Sequence, residues 1–247
     1  MTELKSSSEL KAIAKEKSLD KYGTLIFANI LIFAIQFIVS ALVTVSGPAN
    51  FFLFCINELI TLVISILVGI LVSGKAYLYM NLLYSQAVST SDIFFGFKQH
   101  PNKAVTIQAL FVVVDFLVSI PGTVIFYLSR TNPSSGLIGV LFIFIVLGLI
   151  INVYVSLTYS QAFFLLHDYP DKSAKELLAY SKEMMKGHRF RLLYLHISFI
   201  PLMIFGVITL FIPLLWISVY RYATLTAFYQ DLIVKYGNAG KVDYGLN

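Results

Sequence analysis

The sequence predicts an all-α polytopic membrane protein with six transmembrane helices, built as three repeats of an amphipathic interfacial helix followed by a transmembrane hairpin. Of the 247 residues, 58% are hydrophobic and 13% are charged, whereas a soluble domain is about one quarter charged. The apolar residues form runs long enough to cross a bilayer core. In addition, the pattern Ser, two residues, an acid, Leu or Ile, four residues, Lys occurs three times, in Ser6–Lys15, Ser89–Lys98 and Ser173–Lys182.

We expect one membrane domain over residues 1–247, with repeats at 6–83, 89–166 and 173–234 and a polar C-terminal tail at 235–247. In the first repeat, Ser6 and Glu9 have the spacing of a capping box, in which side chains satisfy the free amides of a helix start. Thr24–Val45 is long enough for a first span. An uncharged turn at residues 46–50 leads to a second span at Phe51–Val72, which we expect to extend towards residue 83.

The second repeat has the same layout. Ser89 and Asp92 repeat the capping spacing, and an apolar segment with a basic end follows. Ala104–Ser129 predicts the third span, and its Pro121 predicts a kink. After a polar turn, the fourth span starts at Leu137 and stays uncharged to residue 166. That length exceeds one crossing, so the helix must tilt or emerge from the membrane.

The third repeat begins with a strongly amphipathic segment. Over Ser173–Lys186, apolar residues recur at the spacing of one helix face, with charged residues opposite. Such a helix lies in the membrane interface. We therefore expect it to anchor the chain on anionic lipids and to dock a partner; the alternative is a helix packed on the protein's own loops. The residues assigned to lipid or partner binding are Lys175, Leu177, Leu178, Lys182, Met184, Met185, Lys186, Arg189 and Arg191.

The uncharged run Leu192–Tyr220 fits either one long span or two short ones. We favour two, with a turn around Phe205–Pro213 and the last span reaching Asp231, because this division preserves the modular pattern. An Ala-aromatic pair then closes the second span of each repeat. These pairs are Ala76-Tyr77, Ala162-Phe163 and Ala227-Phe228.

The distribution of basic residues predicts the orientation. With six spans, every Lys and Arg except Arg130 falls on one side of the membrane, counting Arg221 with the nearer half of its span. Cytoplasmic loops carry an excess of Lys and Arg. We therefore expect a multi-pass protein of the bacterial plasma membrane with both termini in the cytoplasm.

Charged residues inside spans are expensive and are functional candidates by default. The candidates are Glu58, Asp115, Arg130, Arg221 and His196. One interpretation is structural ion pairing between helices, Glu58 with Arg130 and Asp115 with Arg221. The other is a proton or cation path.

No motif in the sequence predicts catalysis, a metal site or a cofactor. The P-loop, HExxH and GxSxG patterns are absent, and His167–Asp171 has no second cluster that completes a metal site. Cys55 is the one cysteine. The net charge of +5 is assigned to the loops, because no basic folded domain is present to bind nucleic acid. We expect a non-enzymatic protein with neither metal, cofactor nor nucleic-acid partner.

Several segments together resemble an uncharacterised bacterial integral membrane family known as domain of unknown function 975. They are Ser181–Gly187, Leu195–Ile200, Leu215–Trp216 and Phe228–Leu232, with Glu9–Lys15 and Asp92–Lys98 also fitting. The chain departs at Val219-Tyr220, where Pro-Tyr is expected. The resemblance implies a multi-span protein, mostly from Gram-positive bacteria, and no activity. The layout is similar to the membrane domain of glycerophosphodiester phosphodiesterases, whose catalytic barrel is absent here, so that hydrolase activity does not carry over.

These observations favour an accessory or scaffold protein for an envelope or export system. Its partners would be the lipid bilayer, anionic lipids and another membrane protein, engaged through the cytoplasmic interfacial helices. The alternative is a small transporter or exporter of an amphipathic solute, with Glu58, Asp115 and Arg221 lining the path. A central cavity lined by these charges would favour transport, and a closed, dry bundle would favour the scaffold.

Overall fold

The computed structural model of the chain describes residues 4–43, 51–131 and 135–243, and the regular structure in these ranges is helical. The turn expected at residues 46–50 lies outside these ranges. The side chain of Arg130 is also outside what the structure describes, so its pairing with Glu58 stays a prediction.

The first third of the chain forms four helices. The first helix, α1 (Ser7–Ser18), starts after Ser6 and is followed by a short 3-10 helix. Further on, α3 (Phe51–Leu67) passes directly into α4 (Gly69–Leu83) through Val68, whose backbone continues the helical hydrogen bonding on both sides. The second span is therefore longer than Phe51–Val72 and reaches residue 83, as its extended form predicts. The helices are α1 (Ser7–Ser18), α2 (Tyr22–Val43), α3 (Phe51–Leu67) and α4 (Gly69–Leu83).

The middle third begins with a 3-10 helix at Thr90–Phe94 in place of a full amphipathic helix. The long helix α6 (Pro101–Thr131) is helical through Pro121 without a break. The segment predicted as the fourth span extends past α7 (Ser135–Tyr159) into α8 (Ala162–Asp168). The helices are α5 (Phe95–Lys98), α6 (Pro101–Thr131), α7 (Ser135–Tyr159) and α8 (Ala162–Asp168).

Three helices cover Leu192–Tyr220 in place of one continuous helix, and the longest interruption between them is at residues 209–213. In this turn Leu210 and Phe211 have φ values of 59° and 66°, a region that bulky residues rarely adopt. The last helix passes unbroken through Val219. The helices are α9 (Ala174–Met184), α10 (Arg189–Ile197), α11 (Ile200–Ile208) and α12 (Leu214–Asp243).

At the C-terminal end, α12 stays helical as far as Asp243, within the segment predicted as a polar tail. Tyr236 explains the first part of this extension. Its hydroxyl donates a hydrogen bond to the carbonyl of Glu183 at 2.9 Å, and its ring meets that of Tyr180 edge-on. These contacts fix the helix beyond the point where its composition becomes polar.

Five helical segments in the described chain are long and apolar enough to cross a membrane, which is consistent with a multi-pass membrane protein. The segment that begins at Leu214 is not one of them. The five are Ser7–Ala41, Phe52–Leu83, Pro101–Phe126, Gly136–Asp168 and Arg189–Ile208.

Burial divides the molecule into two parts. The closed end holds nearly all of the buried side chains and comprises residues 4–32, 69–110, 157–199 and 219–236. The apolar end comprises residues 33–41, 52–68, 111–126, 136–156 and 200–218, and it exposes most of its large apolar side chains. The closed end contains the buried apolar cluster and the ion pairs of Asp231, and the candidate site lies there.

Candidate functional site

Three capping boxes mark the helix starts at the closed end. The backbone amide of Ser6 donates to the Glu9 carboxylate at 2.6 Å, and the amide of Ser173 donates to Glu176 at 2.7 Å. The amide of Ser89 donates to the Asp92 carboxylate at 3.0 Å. In each box the serine hydroxyl accepts a backbone amide in return, so each helix start is fixed by the same local chemistry.

Each capped segment packs against a long helix from another third of the chain. The segment after Ser89 lies on α4, where Asn81 donates to Asp92 at 3.4 Å. Gly74 makes this approach possible, because an added Cβ would overlap the carbonyl of Ile93. The helix α9 lies on the α7–α8 junction, where the Ser181 hydroxyl donates to the carbonyl of Thr158 at 3.2 Å.

The third capped segment, α1, packs against α12. With this contact each third of the chain holds the capped segment of another third, so the three contacts form a closed ring. The Asp231 carboxylate accepts a hydrogen bond from Arg191 Nη2 at 2.6 Å and another from the backbone amide of Lys5 at 3.2 Å. The Asp231 side chain is only 7% exposed. Lys11 also donates to the carbonyl of Ser198 at 3.3 Å. The N-terminal segment is thus fixed to the last helix by a partly buried, charge-assisted hydrogen bond to Asp231.

The helices α4, α8 and α12 meet through aromatic side chains. Tyr79 lies 4.7 Å from Tyr222, and Phe164 lies 5.0 Å from Tyr229, measured between ring centroids. His167 Nε2 donates a hydrogen bond to the carbonyl of Ser73 at 2.8 Å. The meeting point is filled by these rings, so the closed end has a packed centre.

The structure corrects the expectation that the apolar face of the Ser173–Lys186 helix inserts into lipid. Leu177, Met184 and Met185 are fully buried in the protein core, and Leu178 is half-buried. The physical reason is the ring itself, because α6, α7 and α8 already cover this face of α9. The alternative of a helix packed on the protein itself therefore describes these residues.

The opposite face of α9 is exposed and charged. Lys175, Lys182 and Lys186 are exposed there, while Arg189 and Arg191 are half-buried. Lys186 forms an ion pair with Glu183 at 3.9 Å. Hydrogen bonds from Ser173 hold the pKa of Glu176 below its usual range, which keeps that carboxylate charged at the helix start. The lysines remain available to an external partner.

The predicted intramembrane charges lie apart from one another. Asp115 accepts a hydrogen bond from Asn152 at 2.8 Å, and the ion pairs found in the described residues do not include Asp115 or Arg221. The predicted Asp115–Arg221 pair is therefore wrong, because a neutral amide on the neighbouring helix satisfies the carboxylate. Glu58 lines a cavity of about 310 Å³ between α3 and α6.

No cavity described is lined by two of these charges. Asn152, the partner of Asp115, lines a cavity of about 520 Å³ between α6 and α7. This cavity adjoins the one lined by Glu58, because Ser119 and Thr123 line both. His196 is half-buried on α10. Among the described residues, no group of three metal-ligating side chains is present.

Sequence reasoning missed two features. One is the Arg191–Asp231 pair, whose partners are 40 positions apart and carry no local signal. The other is Lys75, which the sequence places among interfacial residues. In the structure Lys75 lines a cavity of about 600 Å³ between α2, α4 and α12. A lysine eight positions before the end of an apolar helix was the one signal that pointed to it.

Comparison with known proteins identifies a family and no function. A family model described as "Protein of unknown function (DUF975)" matches residues 1–235. No curated protein and no solved structure matches the chain.

Proposed function

The chain belongs to the DUF975 family of unknown function, and from this membership and the geometry of its closed end we propose a non-enzymatic integral membrane protein that acts as an accessory or scaffold for an envelope or export system. The observation that carries the proposal is the orientation of α9. Because Leu177 and Met184 are fixed in the core, the lysines opposite are presented on a rigid surface. A preorganised surface loses little conformational entropy when a partner binds.

The chemistry of this surface defines what it binds. Lys175, Lys182 and Lys186 are exposed on one face, so the complementary surface is acidic. In this proposal it is an acidic segment of another membrane protein, held next to anionic lipid head groups. Each basic residue near such a membrane surface contributes about 1 kcal/mol of attraction. Glu176 and Glu183 reduce the net charge and give the face a pattern that a partner can recognise.

The proposal includes a topology of six crossings, one hairpin for each repeat, with α12 as the sixth. The closed end, where the basic residues lie, faces the cytoplasm of a bacterial cell, and both termini are on that side. The packing of α12 against α2 and α4 supports this, because it shields the polar groups of α12 from lipid. Compartment-sensitive reporters fused after Asn50, Pro133 and Asp231 test the topology. A signal from outside at Asp231 rejects the sixth crossing.

Site-specific photo-crosslinking in cells tests the scaffold role. A crosslinking residue at Lys182 is expected to give a discrete protein adduct, which the additional changes Lys175→Gln and Lys186→Gln reduce at least fivefold. The same crosslinker at Leu149, which is 64% exposed at the apolar end, is the matched control and is expected to react with lipid. If position 182 gives only lipid adducts, the partner-binding role is rejected.

A further inference from the structure

The cavity beside Lys75 lies where the closed end meets the apolar end. Its volume of about 600 Å³ is in the range of ligand sites. Polar groups of Asn29, Gln36 and Ser218 line it together with Lys75, and the remaining wall is apolar. The cavity is therefore amphipathic, with one cation and several hydrogen-bonding groups among apolar side chains.

Lys75 has no anionic partner within the described chain. Its ammonium lies 4.5 Å from the centroid of the Tyr222 ring and 6.0 Å from that of Tyr79, while the ion pairs found there involve other residues. Arg221 lies near enough to add a second positive charge. Lys75 is half-buried. Withdrawing a cation from water without a counter-ion is unfavourable, so this site has positive charge to offer to an anion.

The outer part of the cavity is open towards the position of the lipid tails. Phe33 is 68% exposed and Phe211 is 62% exposed, and both line the cavity. Phe211 belongs to the turn with two left-handed bulky residues. Such backbone strain persists where the surrounding structure enforces it and occurs at ligand clamps. The apolar rim thus continues from the cation outwards between α2 and the start of α12.

We propose that this cavity binds one anionic phospholipid, with its phosphate at Lys75 and one acyl chain between α2 and α12. The two halves of the cavity match the two halves of such a lipid, a charged head group and an apolar chain. This site goes beyond the proposed scaffold function, since it lies on other helices than the exposed lysines of α9. Arg221 contributes long-range attraction for the phosphate and is not part of the cavity lining.

Lipid binding to the purified full-length chain tests the proposal. Native mass spectrometry in detergent, with phosphatidylglycerol or phosphatidylcholine added, is expected to show one tightly held phosphatidylglycerol and at least tenfold weaker retention of phosphatidylcholine. Inorganic phosphate in excess is expected not to displace it, because it lacks the acyl chain. Equal retention of the two lipids overturns the proposal. Displacement by inorganic phosphate, or equal binding of oleate, overturns its assignment to a phospholipid.

Three variants localise the site. Lys75→Gln is expected to reduce phosphatidylglycerol retention at least tenfold, and Lys75→Arg to keep most of it. The matched control Lys98→Gln removes an exposed lysine at the end of α5, outside both the cavity and the α9 surface, and is expected to leave retention unchanged. If Lys98→Gln lowers retention as much as Lys75→Gln, the lipid is held by the general positive charge of the chain and the cavity proposal is wrong.

A further variant keeps the cation and fills the apolar wall, so that the test does not depend on the folding of Lys75→Gln. Leu215→Trp places a larger side chain in the cavity lining and is expected to reduce retention at least tenfold, with an unchanged elution volume in size-exclusion chromatography. Full retention by a folded Leu215→Trp protein shows that the acyl chain does not occupy this cavity and overturns the proposal.

Discussion

The closed end and the apolar end both contain many large apolar side chains, yet they use them in opposite ways. Leu177 of α9 is fully buried, whereas Leu149 of α7 is 64% exposed. Charged groups differ as well, because Asp231 is paired with Arg191 while Asp115 is met by the neutral amide of Asn152. Lipid tails are as apolar as leucine, so helices at the apolar end gain little by burying side chains against each other. The closed end adjoins polar surroundings and must build its own core.

This difference predicts that substitutions of the same kind have large effects at the closed end and small ones elsewhere. The largest effect is expected for the ring closure. Asp231→Ala leaves the half-buried Arg191 without its ion-pair partner. Removing one member of a fully buried pair costs about 3 to 5 kcal/mol, which sets the upper limit of the expected loss. Glu183→Ala breaks the exposed pair with Lys186 and is expected to cost less than about 1 kcal/mol. Thermal unfolding in detergent compares the two. Equal losses would mean that the ring is not closed by this pair.

A pair of glycines tests the tightness of packing. Gly74→Ala puts a methyl group into the carbonyl of Ile93, and overpacking of this kind costs about 1 to 3 kcal/mol. At Gly139 of α7 nothing lies within 4 Å of an added Cβ. Gly139→Ala is therefore expected to be neutral or to stabilise by up to about 1 kcal/mol through helix propensity. A Gly74→Ala protein as stable as wild type would show that α4 and the Thr90–Phe94 segment do not approach this closely.

The capping boxes should contribute smaller and similar amounts. Ser6→Ala and Ser173→Ala each remove a hydroxyl that accepts a backbone amide, and loss of such a cap costs about 1 kcal/mol. Because the folded-state pKa of Glu176 is lowered, its contribution is present above the unfolded pKa near 4.5 and is lost as the pH falls through the folded value. The difference between wild type and Ser173→Ala should therefore shrink below about pH 4.5. A pH-independent difference would show that the carboxylate has no part in the cap.

The smallest effect is expected for the isolated acid of the apolar end. Asp115→Asn preserves a hydrogen-bonding group opposite Asn152, and hydrogen bonds between membrane helices contribute about 0.6 kcal/mol on average. Adding Arg221→Gln should change stability additively, since these residues are not paired. A double-mutant cycle measured by thermal unfolding decides this. Recovery of stability in the double variant would restore the predicted Asp115–Arg221 pair.

Local sequence signals predicted local structure well. The capping spacing was identified at Ser6 and Ser89, the same serine-to-acid pattern recurs at Ser173, and all three boxes form. A cap involves neighbours in the chain, so its chemistry is visible without knowledge of the fold. The second capped segment was predicted less well, because its 3-10 geometry is imposed by the close approach of α4 at Gly74.

The sequence alone determined that the protein is helical, rich in membrane-length apolar segments and capped at three related positions, because each of these properties follows from composition and short-range spacing. Only the tertiary structure decided which apolar faces are covered by protein and which are left to lipid. Hydrophobic periodicity is the same in both cases, so α9 reads as a lipid-binding helix although its apolar face is buried. The tertiary structure also decided which charges meet. The carboxylate of Asp231 is joined to Lys5 from the other end of the chain, and Lys75 is left facing a cavity without an anion, because both outcomes depend on how distant helices are brought together.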